Sequence, residues 1–234
     1  MLNLIYTYSI KLSGNSIEKY VKLLKRAYLH NSKYHSIVLY TDRETLPYVE
    51  DIFPEIRLVE IDNLQFMDDI KMKIIDKLES NDILIDYDVF LNSPLILPDN
   101  FDVYVDRRGK VKELVLYSHL FEHLRHEGYD IFTKDIPTYL NVGLLKINGE
   151  HKIRIIKDAY YALRNWYVDN KIEERSQFTY HTGVCPSIVA LQYNLEKIAT
   201  TGNWKVYEMK KYNNYHHLVG EDKFKEINTK NTII

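Results

Sequence analysis

The sequence predicts an α/β protein built on a mostly parallel sheet with helices on both faces. Three observations lead there. Extended and helical patterns alternate from the N-terminus, the extended runs are continuously apolar instead of alternating, and turn or cap residues separate them.

Residues 2–8 form a short, β-rich apolar run, and Ser13-Gly14-Asn15-Ser16 supplies turn and cap chemistry. A helix is expected over 17–30, with Val21, Leu24 and Ala27 or Tyr28 on one face. Residues 36–40 make a second buried strand that ends in Thr41-Asp42. A short helix over 48–53 stops before Pro54, and 56–61 reads as a third strand. Residues 68–79 are helical, with Ile70, Ile74, Ile75 and Leu78 at core spacing, and Ser80-Asn81 breaks the pattern. Ile83-Leu84-Ile85 is then a fully apolar fourth strand. Beyond Asp88, strands are expected at 101–105, 114–117, 139–147 and 204–209, and helices at 118–127, 152–169 and 186–196. No repeat, linker or shift in composition divides the 234 residues, so a single domain over 1–234 is expected, with halves of about 1–92 and 93–234.

Composition narrows the function classes. A net charge of −2 gives no global basic field for nucleic acid or anionic membrane. Lys19, Lys22, Lys25 and Arg26 alternate with Val21, Leu23, Leu24 and Ala27, the pattern of a helix with one solvated face. The single cysteine, Cys185, forms no internal disulfide. No apolar run reaches the length of a transmembrane span and no signal-peptide layout opens the chain, so a cytoplasmic location is expected.

The segment Ile83-Leu84-Ile85-Asp86-Tyr87-Asp88 carries the chemistry. Ligands of open parallel sheets sit beyond the carboxyl ends of the strands. If the extended conformation continues past Ile85, residues i and i+2 point the same way, and Asp86 and Asp88 address one ion. Two unit charges ~4 Å apart repel by about 4 kcal/mol at an effective dielectric near 20, a cost that a hard dication removes. Near the C-terminus the chain reads His217-Leu218-Val219-Gly220-Glu221-Asp222-Lys223. Imidazole suits Mn²⁺ as a further ligand, Gly220 permits close approach to a phosphate, and Lys223 supplies a mobile point charge. His216 competes with His217, but only His217 keeps the spacing to Gly220 and Lys223.

Asp86-Tyr87-Asp88 after an apolar strand, Asn141-Val142-Gly143-Leu144-Leu145, and His217-x-x-Gly220-x-x-Lys223 occur in that order. Together they resemble the GT-A fold glycosyltransferases, especially the glycogenin and bacterial lipooligosaccharide galactosyltransferase group, over about residues 2–223. The resemblance implies a Rossmann-like GT-A domain with a nucleotide-binding first half and an acceptor-side second half. It implies an Mn²⁺ (or Mg²⁺) ion held by Asp86, Asp88 and His217, and a nucleotide-diphosphate sugar donor, UDP-sugar favoured. Asn141 and Gly143 would line the donor-sugar pocket, and Gly220 and Lys223 would hold the diphosphate. Lys71, with Lys73 as its rival, would be the basic donor-binding residue, and Thr7 and Tyr8 would meet the base. A glycan or other hydroxyl compound would be the acceptor, and the reaction would be retaining. Two departures stand out: Phe224-Lys225 where the group commonly has Pro-Trp, and Pro186 to Gln192 where it often has an acidic-Gln pair.

An inverting reaction would need a carboxylate base, for which Asp106, Asp130, Asp135, Glu173 and Glu174 are all available. His119, His123 and His126 have helix-face spacing, but Leu120, Phe121 and Leu124 interleave with them, so a polar helix face is expected instead of zinc. A sugar nucleotidyltransferase would place a glycine-rich loop after the first strand, and residues 8–14 hold one glycine. The remaining rival is an inactive binding module on the same fold.

Overall fold

A computed structural model describes residues 2–13, 16–60, 64, 66, 68–110, 138–169, 186–218 and 224. It has the α/β architecture that the alternating apolar runs predict. Its strands, in chain order, are β1 (Asn3–Tyr8), β2 (Ser36–Thr41), β3 (Ile56–Leu58), β4 (Asp82–Ile85), β5 (Val89–Leu91), β6 (Val103–Lys110), β7 (Thr138–Ile147), β8 (Val206–Glu208) and β9 (Tyr215–His217). Seven of them follow the order β3-β2-β1-β4-β7-β6-β8, and β5 pairs with β9 in a separate ribbon. The expected strand at 114–117 and helix at 118–127 lie outside the described residues. Among the described residues, no helix is long and apolar enough to cross a membrane.

The chain clusters into two compact units: Met1–Leu97 with Gly143–Lys146 and Lys210–Ile234, and Pro98–Val142 with Ile147–Met209. In the first unit β1 lies between β2 and β4, parallel to both, and β2 pairs in parallel with β3. Leu4, Ile5, Tyr6, Thr7 and Tyr8 are all buried, which is why this run is apolar on both of its faces. Leu84 and Ile85 of β4 pair antiparallel with Leu145 and Leu144 of β7.

Helix α1 (Ile17–Asn31) buries Leu23, Leu24 and Ala27 and turns Lys19, Lys22 and Lys25 to solvent. The basic run is the polar face of an amphipathic helix. Helix α2 (Leu46–Val49) starts two residues earlier than the apolar pattern suggests. Asp42 Oδ1 accepts from both the N–H and the hydroxyl of Thr45, at 2.9 and 3.0 Å, and Pro47 is pre-set for a first helical turn. The helix expected over 68–79 is α3 (Asp68–Ile74), and it tightens into a 3-10 turn over Ile75–Lys77.

The second unit pairs β6 in parallel with β8, Val103 opposite Val206 and Val105 opposite Glu208. Helix α4 (Glu150–Asp169) buries Ile156, Tyr160 and Leu163, and α5 (Pro186–Thr201) buries Leu191, Leu195 and Ala199. Gly109 of β6 lies under the Tyr139 ring of β7: a Cβ there would sit 2.3 Å from a ring carbon, so the position admits no side chain without a shift.

Candidate metal centre

Asp86, Asp88 and His217 each present a ligand atom within 4.8 Å of the other two. All three belong to the first unit. Asp86 and Asp88 come together differently from the extended geometry expected of them. The chain leaves β4 in a tight turn, closed by the Val89 N–H donating to the Asp86 carbonyl at 3.0 Å. The Asp86 N–H donates to the Gly143 carbonyl at 2.7 Å, which fixes where that turn begins. Tyr87 turns inward and is buried edge-on against Tyr8 and Tyr20, with centroids 5.9 and 6.3 Å away. A turn and a straight strand thus give the same outcome by different routes: the carboxylates converge because the intervening side chain is driven into an aromatic cluster.

His217 arrives through the β5–β9 ribbon. Val89 pairs with His217, Phe90 with His216 and Leu91 with Tyr215, and the Leu218 N–H donates to the Asp88 carbonyl at 2.9 Å. This register decides between the two adjacent histidines. His217 Nε2 lies 3.5 Å from Asp88 Oδ1, whereas His216 is exposed.

The ribbon is itself anchored by the end of α1. Asn31 is fully buried; its Nδ2 donates to the Tyr6 hydroxyl at 2.7 Å and to the Val89 carbonyl at 2.8 Å, and its Oδ1 accepts from the Leu91 N–H at 2.9 Å. His30 Nε2 bonds the Leu91 carbonyl at 2.7 Å. Sequence reading passed over Asn31. A polar residue on the otherwise apolar stripe Leu23, Leu24, Ala27 was the signal that could have marked it.

Lys71 is the charged neighbour of this cluster. Its Nζ lies 2.5 Å from Asp86 Oδ1 and 3.1 Å from Asp68 Oδ1, and its side chain is almost entirely buried. Burial alone would push the ammonium down; Asp68 first, then Asp86, outweigh it and hold Lys71 above the ordinary lysine value. Loss of water raises the Asp86 carboxyl to about 6; Lys71 pulls it back and Asp88 adds to the rise. The Asp86 side chain keeps 31% of its surface exposed, so water still reaches it. Lys73, the rival of Lys71, points to solvent.

Thr7 and Tyr8 end β1 but offer little free surface. The Tyr8 hydroxyl shares a hydrogen bond of 2.8 Å with Ser13 Oγ, and burial raises it to about 12 against the opposing effect of that bond. Gly143 lies in the first unit beside Asp86, whereas Asn141 lies on β7 in the second unit. Gly220 and Lys223 lie outside the described residues, as do Cys185, His119, His123, His126, Asp130, Asp135, Glu173 and Glu174. Phe224 packs edge-on to Tyr20 with centroids 5.2 Å apart and so joins the aromatic cluster of Tyr8, Tyr20 and Tyr87. Asp106 is fully buried in β6. Asp68 was not singled out by sequence reading, although it stands three residues before Lys71 on the same helical face.

The donor set suits a hard dication with some affinity for nitrogen: two carboxylates, one imidazole and an open side through which Asp86 meets solvent.

No family model and no curated protein matches this chain. Solved structures similar to it include two of the glycosyltransferase GlyE from Streptococcus pneumoniae TIGR4. One matches with 13% identity and a TM-score of 0.45, covering 90% of this chain and 46% of that one. The other, an apo form, matches with 16% identity and a TM-score of 0.38, covering 88% and 45%. The chain thus spans less than half the length of either.

Proposed function

We propose that this chain is a metal-dependent glycosyltransferase that uses a nucleotide-diphosphate sugar, UDP-sugar favoured, and a hydroxyl acceptor. The observation that carries the reading is the convergence of Asp86, Asp88 and His217 within 4.8 Å, on elements far apart in sequence, at the carboxyl end of a buried parallel strand. Open α/β sheets bind ligands at such strand ends. The ordered motifs Asp86-Tyr87-Asp88, Asn141-Val142-Gly143 and His217-x-x-Gly220-x-x-Lys223 support the class of donor.

Asp86, Asp88 and His217 would hold Mn²⁺ or Mg²⁺. When bound, such an ion supplies Lewis-acid stabilisation of the charge that develops on a departing diphosphate. The residues of the chain supply the rest. The turn closed by Val89 and Asp86 keeps the two carboxylates together before any ligand arrives, so the backbone that carries them need not rearrange. Lys71 keeps a positive charge beside the cluster. Lys223, by its place in the motif, would add a second charge toward the diphosphate. Retention of configuration is the stereochemical outcome that the motif set favours.

The test is release of nucleotide diphosphate from a panel of UDP-sugars with and without Mn²⁺, run beside a thermal-shift screen of UDP. Mn²⁺-dependent release, together with a rise in melting temperature with UDP, is expected. A thermal shift without release would identify an inactive binding module instead. Neither signal in any nucleotide series would overturn the reading.

A further inference from the structure

Asp68 opens α3 with only 1% of its surface exposed, and among the described residues neither of its carboxylate oxygens has an aligned hydrogen-bond donor. Holding a buried carboxylate that way is costly unless something compensates it. The Lys71 ammonium stands between the two acids, 3.1 Å from Asp68 Oδ1 and 2.5 Å from Asp86 Oδ1. An ammonium is a compact charge on a flexible four-carbon stem with three donors, so it can exchange partners by a small rotation. Asp86 is also a member of the three-residue cluster that could hold a metal ion. A dication there would compete with the ammonium for that carboxylate and repel it at short range.

We propose that Asp68 is a positioning residue: its carboxylate is the berth that receives the Lys71 ammonium when a divalent cation claims Asp86, so the lysine stays beside the cluster. Lys71 is charged in both positions and only its partner changes. In the cation-free state the ammonium is shared between Asp86 and Asp68; in the loaded state Asp68 holds it alone. The inference rests on the cation site proposed above. The plainer account is that Asp68 and Lys71 are a structural pair of adjacent helix turns, with no bearing on cation binding beyond the field of each charge.

The test measures Mn²⁺ affinity of the whole chain, from the resonance signal of free Mn²⁺, in wild type, Asp68→Asn, Lys71→Met and the double variant. Asp68→Asn should bind about tenfold more weakly, because Lys71 keeps only Asp86 to pair with. Lys71→Met should bind about tenfold more tightly, and adding Asp68→Asn to it should change affinity less than about twofold. If Asp68→Asn weakens binding by the same factor in both backgrounds, or in neither, the berth is overturned while the cation site stands. Should Lys71→Met not fold, the double variant must still bind about a hundredfold more tightly than Asp68→Asn, and equal affinities overturn the proposal. A wild-type chain that binds no Mn²⁺ removes the cation site and this inference together.

Discussion

In the second unit Arg108 meets two glutamates, and each carboxylate oxygen finds a partner. Arg108 Nε donates to Glu196 Oε2 at 3.0 Å, its backbone N–H donates to Glu208 Oε2 at 3.0 Å, and Nη1 pairs with Glu208 Oε1 at 3.8 Å. Thr200 Oγ1 donates to Glu196 Oε1 at 3.3 Å. In the first unit Lys71 is shared by Asp68 and Asp86, Asp88 faces His217 at 3.5 Å, and among the described residues both oxygens of Asp68 lack an aligned donor. Both groups are semi-buried and charged. One is an arginine held between two glutamates, as structural clusters are; the other brings two carboxylates and an imidazole within 4.8 Å of one another, an arrangement that a dication can bridge.

Breaking the first group should have the largest effect. Asp88→Ala is expected to lower Mn²⁺-dependent nucleotide diphosphate release by about a thousandfold or more while leaving the far-ultraviolet circular dichroism unchanged. Turnover at the wild-type level would remove the metal assignment.

Arg108→Ala addresses the satisfied group. It strips the Glu196 carboxylate, which is buried, of its guanidinium, and should destabilise the protein by about 2 kcal/mol, tempered by the partial exposure of Arg108. That corresponds to a fall in Tm of roughly 4–8 °C. Mn²⁺ affinity should not change, and a large loss of affinity would erase the contrast. Gly109→Ala also perturbs the second unit alone. Its new Cβ meets the Tyr139 ring at 2.3 Å, and it should cost about 1–2 kcal/mol in a denaturant titration.

The smallest effect expected is a pH dependence specific to the first group. Burial and Asp88 raise the Asp86 carboxyl from 3.8 to about 6 in spite of Lys71. A carboxyl raised on folding contributes stability that is present below its unfolded value and is lost as pH climbs through its folded value. This contribution should therefore fade between about pH 4 and pH 6 in the metal-free protein. Because ligation needs the carboxylate, the rise in melting temperature given by Mn²⁺ should grow across the same interval. The comparison of wild type with Asp86→Asn isolates the term, and an Mn²⁺ shift independent of pH would argue against Asp86 as a ligand.

What could be read in advance was local. Leu4 to Tyr8, Ile37 to Tyr40 and Ile83 to Ile85 are apolar on both faces because they are covered on both faces, and that is visible in the order of the residues. Asp86 and Asp88 were legible because a polar pair directly after such a strand has to emerge at its carboxyl end. The β5–β9 ribbon was not legible: each strand has three residues, and Tyr215–His217 lies in a polar stretch whose partner is far away in the chain. The turn at Asp86 escaped for a similar reason. It depends on the Gly143 carbonyl and on the burial of Tyr87 against Tyr8 and Tyr20, which are tertiary facts. Residues 46–49 show the same limit at smaller scale, since Asp42 and Thr45 outside the apolar pattern set where that helix begins.

The pairing of Val89 with His217 makes the imidazole a visitor from a distant stretch of chain, stitched in by three rungs of backbone. Unzipping those rungs would carry the ring away while both aspartates stayed in their turn. Assembly of the full ligand set and docking of the segment around residue 217 are therefore one equilibrium, and whatever tightens either must tighten the other to the same degree.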